Sequence, residues 1–386
     1  MKLGVPGFVG ARLTQAREAM GLSQNGLADR IGVSKQAISR YERDEDSPMF
    51  PVLNALAEEL NQDKEFFSRP IRLNPSAKVT FYRRLKRVTK AELKKISIWR
   101  EWYDELVDLL GQYLELPALN LPHDLFLPHN PALIDMAVIE AATLRLREHW
   151  GLGQRPIGHL IRQMERNGLL VTRFDFGVDG VDGFSLEAAN QPLSLVALNT
   201  AKSNAFRSRF DAAHELGHHI LHRHVTDEML KDPATYELVE RQAHRFASSL
   251  LLPQDAFRDD LYSYNLDALL HLKEKWNVSI AAMLYRMKDM ELIDNSEHTA
   301  LRKSMSGKDW TKREPFDEEA TPEKPALLAQ AIDTLVNQAG FTKQDVINDL
   351  KLRPHIIEQL ANLSFGYFDV PESVEINVTN LRLSGT

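Results

Sequence analysis

The sequence contains no cysteine among its 386 residues. This absence excludes disulfide bonds, thiolate metal ligands and a cysteine nucleophile, so any metal chemistry must use histidine and carboxylate side chains. Long apolar runs are missing too, because none approaches the roughly 18 residues that a membrane-spanning helix needs. The N-terminal stretch has no sustained apolar segment of the kind found in signal peptides. We therefore expect a cytoplasmic protein without a membrane partner.

Charge is unevenly distributed along the chain. The whole sequence carries 47 Lys and Arg against 54 Asp and Glu, a net charge of −7. The first 100 residues hold 19 basic and 11 acidic side chains, whereas the remainder holds 28 and 43. A basic region joined to an acidic body is typical of a nucleic-acid-binding domain fused to another domain, with chance clustering as the alternative.

The N-terminal quarter has the pattern of a helix-turn-helix, in which two short helices are joined by a glycine-containing turn. Ser23 and Ser34 can cap the second and third helices of this region. Gly32 permits a positive φ in the turn between them, and the small Ala28 suits the point where the two helices cross. A fourth helix follows, so the region predicts an all-α domain.

The third helix would lie in the major groove of DNA, with its N-terminal side chains directed towards base edges. Gln36 can form two hydrogen bonds with adenine, whereas Lys35 or Arg40 can reach guanine or a phosphate. Gln24 begins the second helix, and a side chain beside a helix N-terminus suits a contact with phosphate. The side chains predicted to contact a double-stranded DNA operator are Gln24, Ser34, Lys35, Gln36, Ser39 and Arg40. A four-helix cap without DNA binding is the alternative.

The stretch SQNGLADRIGVSKQAISRYER, within about residues 10–67, resembles the XRE family of Cro- and lambda-repressor-like DNA-binding domains. The resemblance implies a five-helix domain that usually binds its operator as a dimer. A homodimer is therefore one expected state of this chain.

Residues 78–100 mix basic and aromatic side chains, a combination that suits contact with a nucleic-acid backbone. The interpretation that we favour is an amphipathic helix whose Leu85, Val88, Leu93 and Ile96 pack inward while its lysines stay in water. An acidic stretch and a proline-rich extended segment follow. Further on, the β-rich runs LLVTRFDF and PLSLVALN, separated by the turn-rich GVDGVDGFS, predict a small sheet among helices.

The stretch HELGH places His214 and His218 four residues apart on one helix, so both can bind one metal ion, with Glu215 one position further round. A catalytic zinc usually takes three protein ligands and keeps one position open. The later helix YELVERQAHRFASSLL offers Glu240 and His244, and either of them can point to the metal. Three more histidines are expected at the surface or behind the ligands: His219, His222 and His224.

The stretch from about residue 131 to residue 253 resembles the ImmA/IrrE family of metallopeptidases, which combines an HELGH helix with the pattern E-x-x-A-N-x-F-A-x-x-L-L-x-P. The resemblance implies that Glu240 is the third ligand and that Glu215 is the catalytic base of a zinc endopeptidase. His244 departs from the asparagine that is usual there, and is either a supporting neighbour or a competing ligand. A His/His/Glu site can also bind Mn²⁺ or Fe²⁺, so both ions are alternatives to Zn²⁺.

Together the two resemblances imply a DNA-binding transcriptional regulator that carries a zinc-dependent endopeptidase for a repressor- or antitoxin-like protein partner. One alternative is a non-proteolytic repressor or antitoxin whose metal site is structural or sensing. A third hypothesis is self-cleavage at residues 68–80 or 117–131, which would release the DNA-binding part.

The expected fold is mainly α-helical with a small β-sheet. Its predicted parts are an all-α helix-turn-helix domain (1–70), a basic then acidic helical connector (71–130), an α+β zincin-like peptidase domain (131–290) and a mostly helical C-terminal region (291–386). In the last region we expect a polar segment, two helices and a terminal strand in SVEINVTNLRL, and we assign no chemistry to it.

Overall fold

A computed structural model describes residues 4–71, 81–82, 89–123, 125, 127–178, 181–187, 194–201, 204–226 and 228–369. Across these residues the protein is mainly α-helical with one small mixed β-sheet, as the sequence predicts. Every helix described is too short or too polar to span a lipid bilayer.

The N-terminal unit consists of four helices and a 3-10 turn: α1 (Gly10–Ala19), α2 (Gln24–Ile31), α3 (Lys35–Glu42), α4 (Phe50–Glu59) and the turn Lys64–Ser68. The predicted caps are present, because the hydroxyls of Ser23 and Ser34 accept hydrogen bonds from backbone amides of α2 and α3. Gly32 has a φ of 70°, the left-handed conformation that glycine adopts without strain. The fifth helical element implied by the resemblance is the 3-10 turn.

The basic and acidic stretches around residue 100 form one long helix, α5 (Lys90–Tyr113). Thr89 begins it with a capping box, in which its hydroxyl and the Glu92 carboxylate each bind the other residue's amide. Ile96 is buried and Leu93 half-buried, as expected, whereas Leu85 and Val88 lie outside the described residues. Trp102 is also buried, so α5 forms part of a hydrophobic core.

The sheet has the strand order β1-β3-β4-β2, with strands β1 (Phe81–Tyr82), β2 (Leu169–Phe174), β3 (Gly183–Glu187) and β4 (Ser194–Asn199). Strands β2 and β4 are parallel, while β3 runs antiparallel to both β1 and β4. The turn-rich segment GVDGVDGFS also contains the start of a strand that was not predicted, because β3 begins at Gly183. The strand was hidden by the glycines and aspartates before it, which are typical of turns.

Seven helices are described in the middle of the chain: α6 (Met136–His149), α7 (Leu160–Arg166), α8 (Ala205–Leu221), α9 (Pro233–Leu251), α10 (Gln254–Asp260), α11 (Leu266–Trp276) and α12 (Ile280–Asp289). Four more helices follow: α13 (Asn295–Gly307), α14 (Leu327–Gln338), α15 (Lys343–Leu350) and α16 (Pro354–Ala361). Helix α13 lies in the segment expected to be merely polar. Its signal is the capping box of Asp294 and Glu297.

Both faces of the sheet are buried, each in a different hydrophobic core. Leu170 and Phe174 pack in a core shared with α1–α5 and α14–α16. Leu169 and Val171 pack in the core formed with α6–α9 and α11–α12. A strand buried on both faces is mostly apolar, which explains the successive apolar residues at the start of β2, where only Thr172 and Arg173 interrupt the pattern. The C-terminal helices thus complete the core that includes the N-terminal unit, and SVEINVTNLRL lies outside the described residues.

A buried ionic group joins the N-terminal unit to α5. The side chains of Arg12 and Glu105 are fully buried and lie 2.8 Å apart. Arg69 pairs with the same carboxylate and also donates a hydrogen bond to the carbonyl oxygen of Leu350 at the end of α15. Removing one member of a buried ion pair leaves a charge uncompensated in a low dielectric, so loss of Arg12 or Arg69 alone would weaken the contact between the N-terminal unit and the rest of the protein.

Candidate metal centre and DNA-facing helix

The side chains predicted to contact DNA lie on the outer side of α2 and α3. Ser34, Lys35, Gln36 and Arg40 are exposed, and Ser39 is half-buried. Ile38 and Tyr41 turn the opposite side of α3 into the core. The helix therefore presents one polar face to water, as a recognition helix requires.

Two of these side chains also make contacts within the protein. Gln24 is half-buried and donates a hydrogen bond of 2.6 Å from its amide to Glu42, which in turn pairs with Arg17. Arg40 lies 3.4 Å from Asp46 in an exposed ion pair. Such surface pairs are weak, so a phosphate can compete for Arg40, whereas Gln24 is held more firmly than expected.

The metal-binding group forms where α8 packs against α9. His214 and His218 lie on one face of α8, with their Nε2 atoms 3.0 Å apart. Glu240 of α9 places one carboxylate oxygen 3.5 Å from His214 Nε2 and the other 3.3 Å from His218 Nε2. These are the residues that the sequence singled out as ligands, and the structure brings all three together.

The spacing of these three atoms fits a small divalent ion. A tetrahedral zinc with bonds of about 2.0–2.1 Å holds neighbouring ligand atoms roughly 3.3 Å apart. Two imidazole nitrogens and a carboxylate oxygen are also the donor set that zinc accepts in catalytic sites. His214 is 1% and His218 0% exposed, while the Glu240 side chain is 17% exposed, so the group opens on its Glu240 side.

The electrostatics of the group favour a cation. Burial lowers the pKa of His214 well below its ordinary value, so that this imidazole stays neutral. Burial is the largest single influence on Glu240 and opposes its ionisation, but the interactions with His214 and His218 together outweigh it and lower the pKa of the carboxyl below the usual range. Neutral imidazole and ionised carboxylate are the forms that bind metal.

Two glycines make room for this arrangement. A Cβ at Gly217 of α8 would lie 3.0 Å from a ring carbon of Phe246 on α9, so its absence lets the two helices approach closely. A Cβ at Gly183 of β3 would lie 3.1 Å from a carboxylate oxygen of Glu215, which is itself 1% exposed. Neither role was predicted from the sequence, although Gly217 stands inside the HELGH motif.

The remaining histidines divide into buried and exposed ones. His219 and His222 are buried, so the surface alternative is wrong for both of them. His219 Nε2 lies 2.7 Å from the hydroxyl of Ser194, and burial lowers the pKa of His219 and of His222 to about 3. His222 lies directly behind His218, with their Nδ1 atoms 3.1 Å apart. His224 is exposed and stacks on His129.

His244 stands beside the metal-binding group without joining it. Its ring centroid lies 4.6 Å from that of His214, but among the described residues the group of converging ligand atoms contains only His214, His218 and Glu240. His244 also borders a cleft of about 1100 Å³ whose wall includes Phe210, Tyr285 and Trp310. The cleft therefore reaches the edge of the candidate metal centre.

A buried zincin-type group beside a wide cleft defines the class of site, and comparison with known families agrees with it. Residues 13–67 match the helix-turn-helix family model, and residues 164–288 match the model of the IrrE N-terminal-like domain, a peptidase family. The chain therefore carries an XRE-type helix-turn-helix domain followed by an IrrE N-terminal-like domain whose His214, His218 and Glu240 cluster is consistent with a zincin-type site. No curated protein matches the chain.

Proposed function

We propose that this protein is a DNA-binding transcriptional regulator whose second domain is a zinc-dependent endopeptidase. His214, His218 and Glu240 are the proposed ligands, and Glu215 is the proposed catalytic base. The observation that carries this proposal is the convergence of the three ligand atoms next to Glu215, within a domain that matches a peptidase family.

A divalent ion held by these three side chains would polarise a water molecule and the scissile carbonyl. In this proposal the Glu215 carboxylate accepts a proton from the attacking water and passes it to the leaving amine. Gly183 leaves the space that this carboxylate occupies beside β3. The cleft bordered by His244, about 1100 Å³ in volume, is the proposed binding site of the peptide, with Tyr285 and Trp310 offering apolar surface to its side chains.

The exposed face of α3 supports operator binding by Lys35, Gln36 and Arg40. Arg12, Glu105 and Arg69 join the N-terminal unit to the rest of the protein. We therefore expect that DNA binding by this unit also places the peptidase domain at the DNA. A partner bound at the same DNA would then meet the peptidase at a raised effective concentration. A repressor- or antitoxin-like protein is the proposed substrate for that reason.

The proposal is tested by comparing new protein N-termini in host cells that carry wild type, Glu215→Gln or Glu237→Gln, before and after DNA damage. Glu237 lies on α9 with an exposed side chain and controls for the loss of one carboxylate. Loss of a general base lowers the rate about 10²- to 10⁴-fold. Fragments that appear with wild type and Glu237→Gln but not with Glu215→Gln would support a peptidase and identify its substrate.

Identical N-termini in all three strains, with zinc and DNA binding retained, would overturn the proposal in favour of a non-proteolytic regulator. The same measurement covers self-cleavage, because a new N-terminus of this protein within residues 68–80 or 117–131 would reveal it.

A further inference from the structure

Behind the metal-binding group, two backbone carbonyls hold the amide of Gln242 in one orientation. Its Nε2 donates hydrogen bonds of 2.7 Å to the carbonyl oxygens of both Pro131 and Ile134. Turning the amide over would set its oxygen against two acceptors, with no hydrogen between them. The amide oxygen of Gln242 therefore faces the other way, where it lies 3.0 Å from Nε2 of His222.

This orientation determines which nitrogen of His222 carries the hydrogen. An amide oxygen only accepts, so His222 Nε2 must donate to it. His222 is fully buried, a position that favours the neutral imidazole with a single hydrogen. Its Nδ1 is consequently an acceptor, and it lies 3.1 Å from Nδ1 of His218.

The contact with His222 also determines which nitrogen of the ligand His218 carries the hydrogen. His218 Nδ1 must donate to His222, so the neutral His218 has no hydrogen on Nε2, the atom that faces His214 and Glu240. We propose that Gln242 and His222 are positioning residues that set the tautomer of His218 and keep its Nε2 available for a metal ion. This inference rests on the metal site of the proposed function, but not on proteolysis.

The arrangement has a consequence for the metal-free protein. A bare Nε2 of His218 and a carboxylate oxygen of Glu240 face each other at 3.3 Å, an unfavourable approach of two electron-rich atoms unless a cation or a hydrogen lies between them. His218 could relieve it by moving its hydrogen from Nδ1 to Nε2. Gln242 and His222 oppose that shift, because it would leave two bare Nδ1 atoms 3.1 Å apart.

The first test needs no substitution in the protein that is measured. Full-length wild type with ¹⁵N-labelled histidine is stripped of metal, and the tautomer of His218 is read by NMR, with the resonance assigned from a His218→Gln variant. We expect a protonated Nδ1 and a bare Nε2. A His218 found with its hydrogen on Nε2 would overturn the proposal.

The second test measures Zn²⁺ affinity by competition with a chelator. Outer hydrogen-bond partners of metal ligands contribute about 10- to 100-fold in affinity, and we expect a loss of this size in Gln242→Leu. His222→Asn retains an oxygen that can accept from His218, so its loss should be smaller than that of His222→Leu. Ser194→Ala is the matched control. It removes the hydrogen bond of the adjacent buried His219 and lies outside the hydrogen-bond relay formed by Gln242, His222 and His218.

Folded Gln242→Leu with wild-type zinc affinity would contradict the inference. Both readouts are independent of turnover. A protein that binds zinc with the expected tautomer but cleaves nothing would refute the peptidase proposal alone, while an active peptidase with the other tautomer would refute the relay alone.

Discussion

Helices α3 and α8 are both capped by a polar side chain and both carry a short polar motif, yet they present it in opposite ways. On α3, Lys35 and Gln36 are exposed, and only the opposite face is packed. On α8, His214, Glu215 and His218 are at most 1% exposed, because the sheet lies on one side and α9 on the other. The polar motif of α3 is therefore solvent-exposed, whereas that of α8 is buried.

The difference sets the size of the effect that one residue can have. A side chain on α3 keeps its water until DNA arrives, so each contact adds a modest, salt-dependent part of the affinity. The polar atoms of α8 have lost their water already and depend on one another and on a bound ion. Single substitutions should therefore have large effects in the buried group and small ones on the exposed helix.

Removing the ligand that comes from α9 tests the strongest form of this contrast. In Glu240→Gln the negative charge is lost and a weaker oxygen donor remains, so we expect zinc affinity to fall by about 100-fold or more, beyond the loss that follows removal of an outer partner. Chelator competition measures it. Glu237→Gln, one turn earlier on α9 and exposed, should bind zinc as wild type does. Equal affinities of the two variants would contradict a His/His/Glu site.

Asp104 on α5 is a buried carboxyl outside the metal site. Burial raises its pKa to about 7, although Arg100 lies 3.8 Å away and opposes the rise. Its folded pKa is above the unfolded value of about 3.9, so this residue favours folding most at low pH, and that contribution is lost as the pH rises to about 7. Asp104→Asn should therefore be more stable than wild type at pH 8, by on the order of a few kcal/mol.

The pH dependence separates this effect from a general change in packing. The advantage of Asp104→Asn should be about 2 kcal/mol smaller at pH 5.5 than at pH 8, as measured by urea unfolding. Asp29→Asn, with an exposed side chain on α2, controls for the change in net charge. An advantage that stays constant between the two pH values would show that Asp104 does not titrate in this range.

Gly217 allows the contact between α8 and α9 on which the metal group depends. Its replacement by alanine would press a Cβ to 3.0 Å from Phe246, so we expect a loss of about 1–3 kcal/mol in unfolding free energy and a weaker zinc site. Gly307→Ala is the control, because a Cβ at that position meets no atom within 4 Å. If the two variants have the same stability and zinc affinity, the close approach at Gly217 is not needed.

The sequence alone could predict what depends on local geometry. A spacing of four residues places His214 and His218 on one helical face, and serines before polar helices indicate the caps of α2 and α3. The two helices with the ligands, α8 and α9, have the predicted positions. These features need no knowledge of distant parts of the chain.

Contacts between distant segments could not be predicted in this way. The amide of Gln242 is oriented by Pro131 and Ile134, more than 100 residues earlier, and no local pattern points to that contact. The core around α5 includes residues of α1, the sheet and the C-terminal helices, and no local pattern in α5 identifies these partners. Gly183 was assigned to a turn because glycine is common in turns, whereas here it makes space for Glu215.

We expect the smallest effects from substitutions on α3. Gln36→Ala should change the sequence specificity of DNA binding, whereas Lys35→Ala should change its affinity for any sequence. Gln36→Ala should lose about 1–3 kcal/mol of discrimination at one adenine position of the operator. Lys35→Ala should weaken binding to all sequences alike and reduce the slope of log affinity against log salt by about 1, because one phosphate contact is lost. Titrations of specific and random DNA at several salt concentrations distinguish the two. A uniform loss in Gln36→Ala would mean that α3 grips the DNA backbone without reading its sequence.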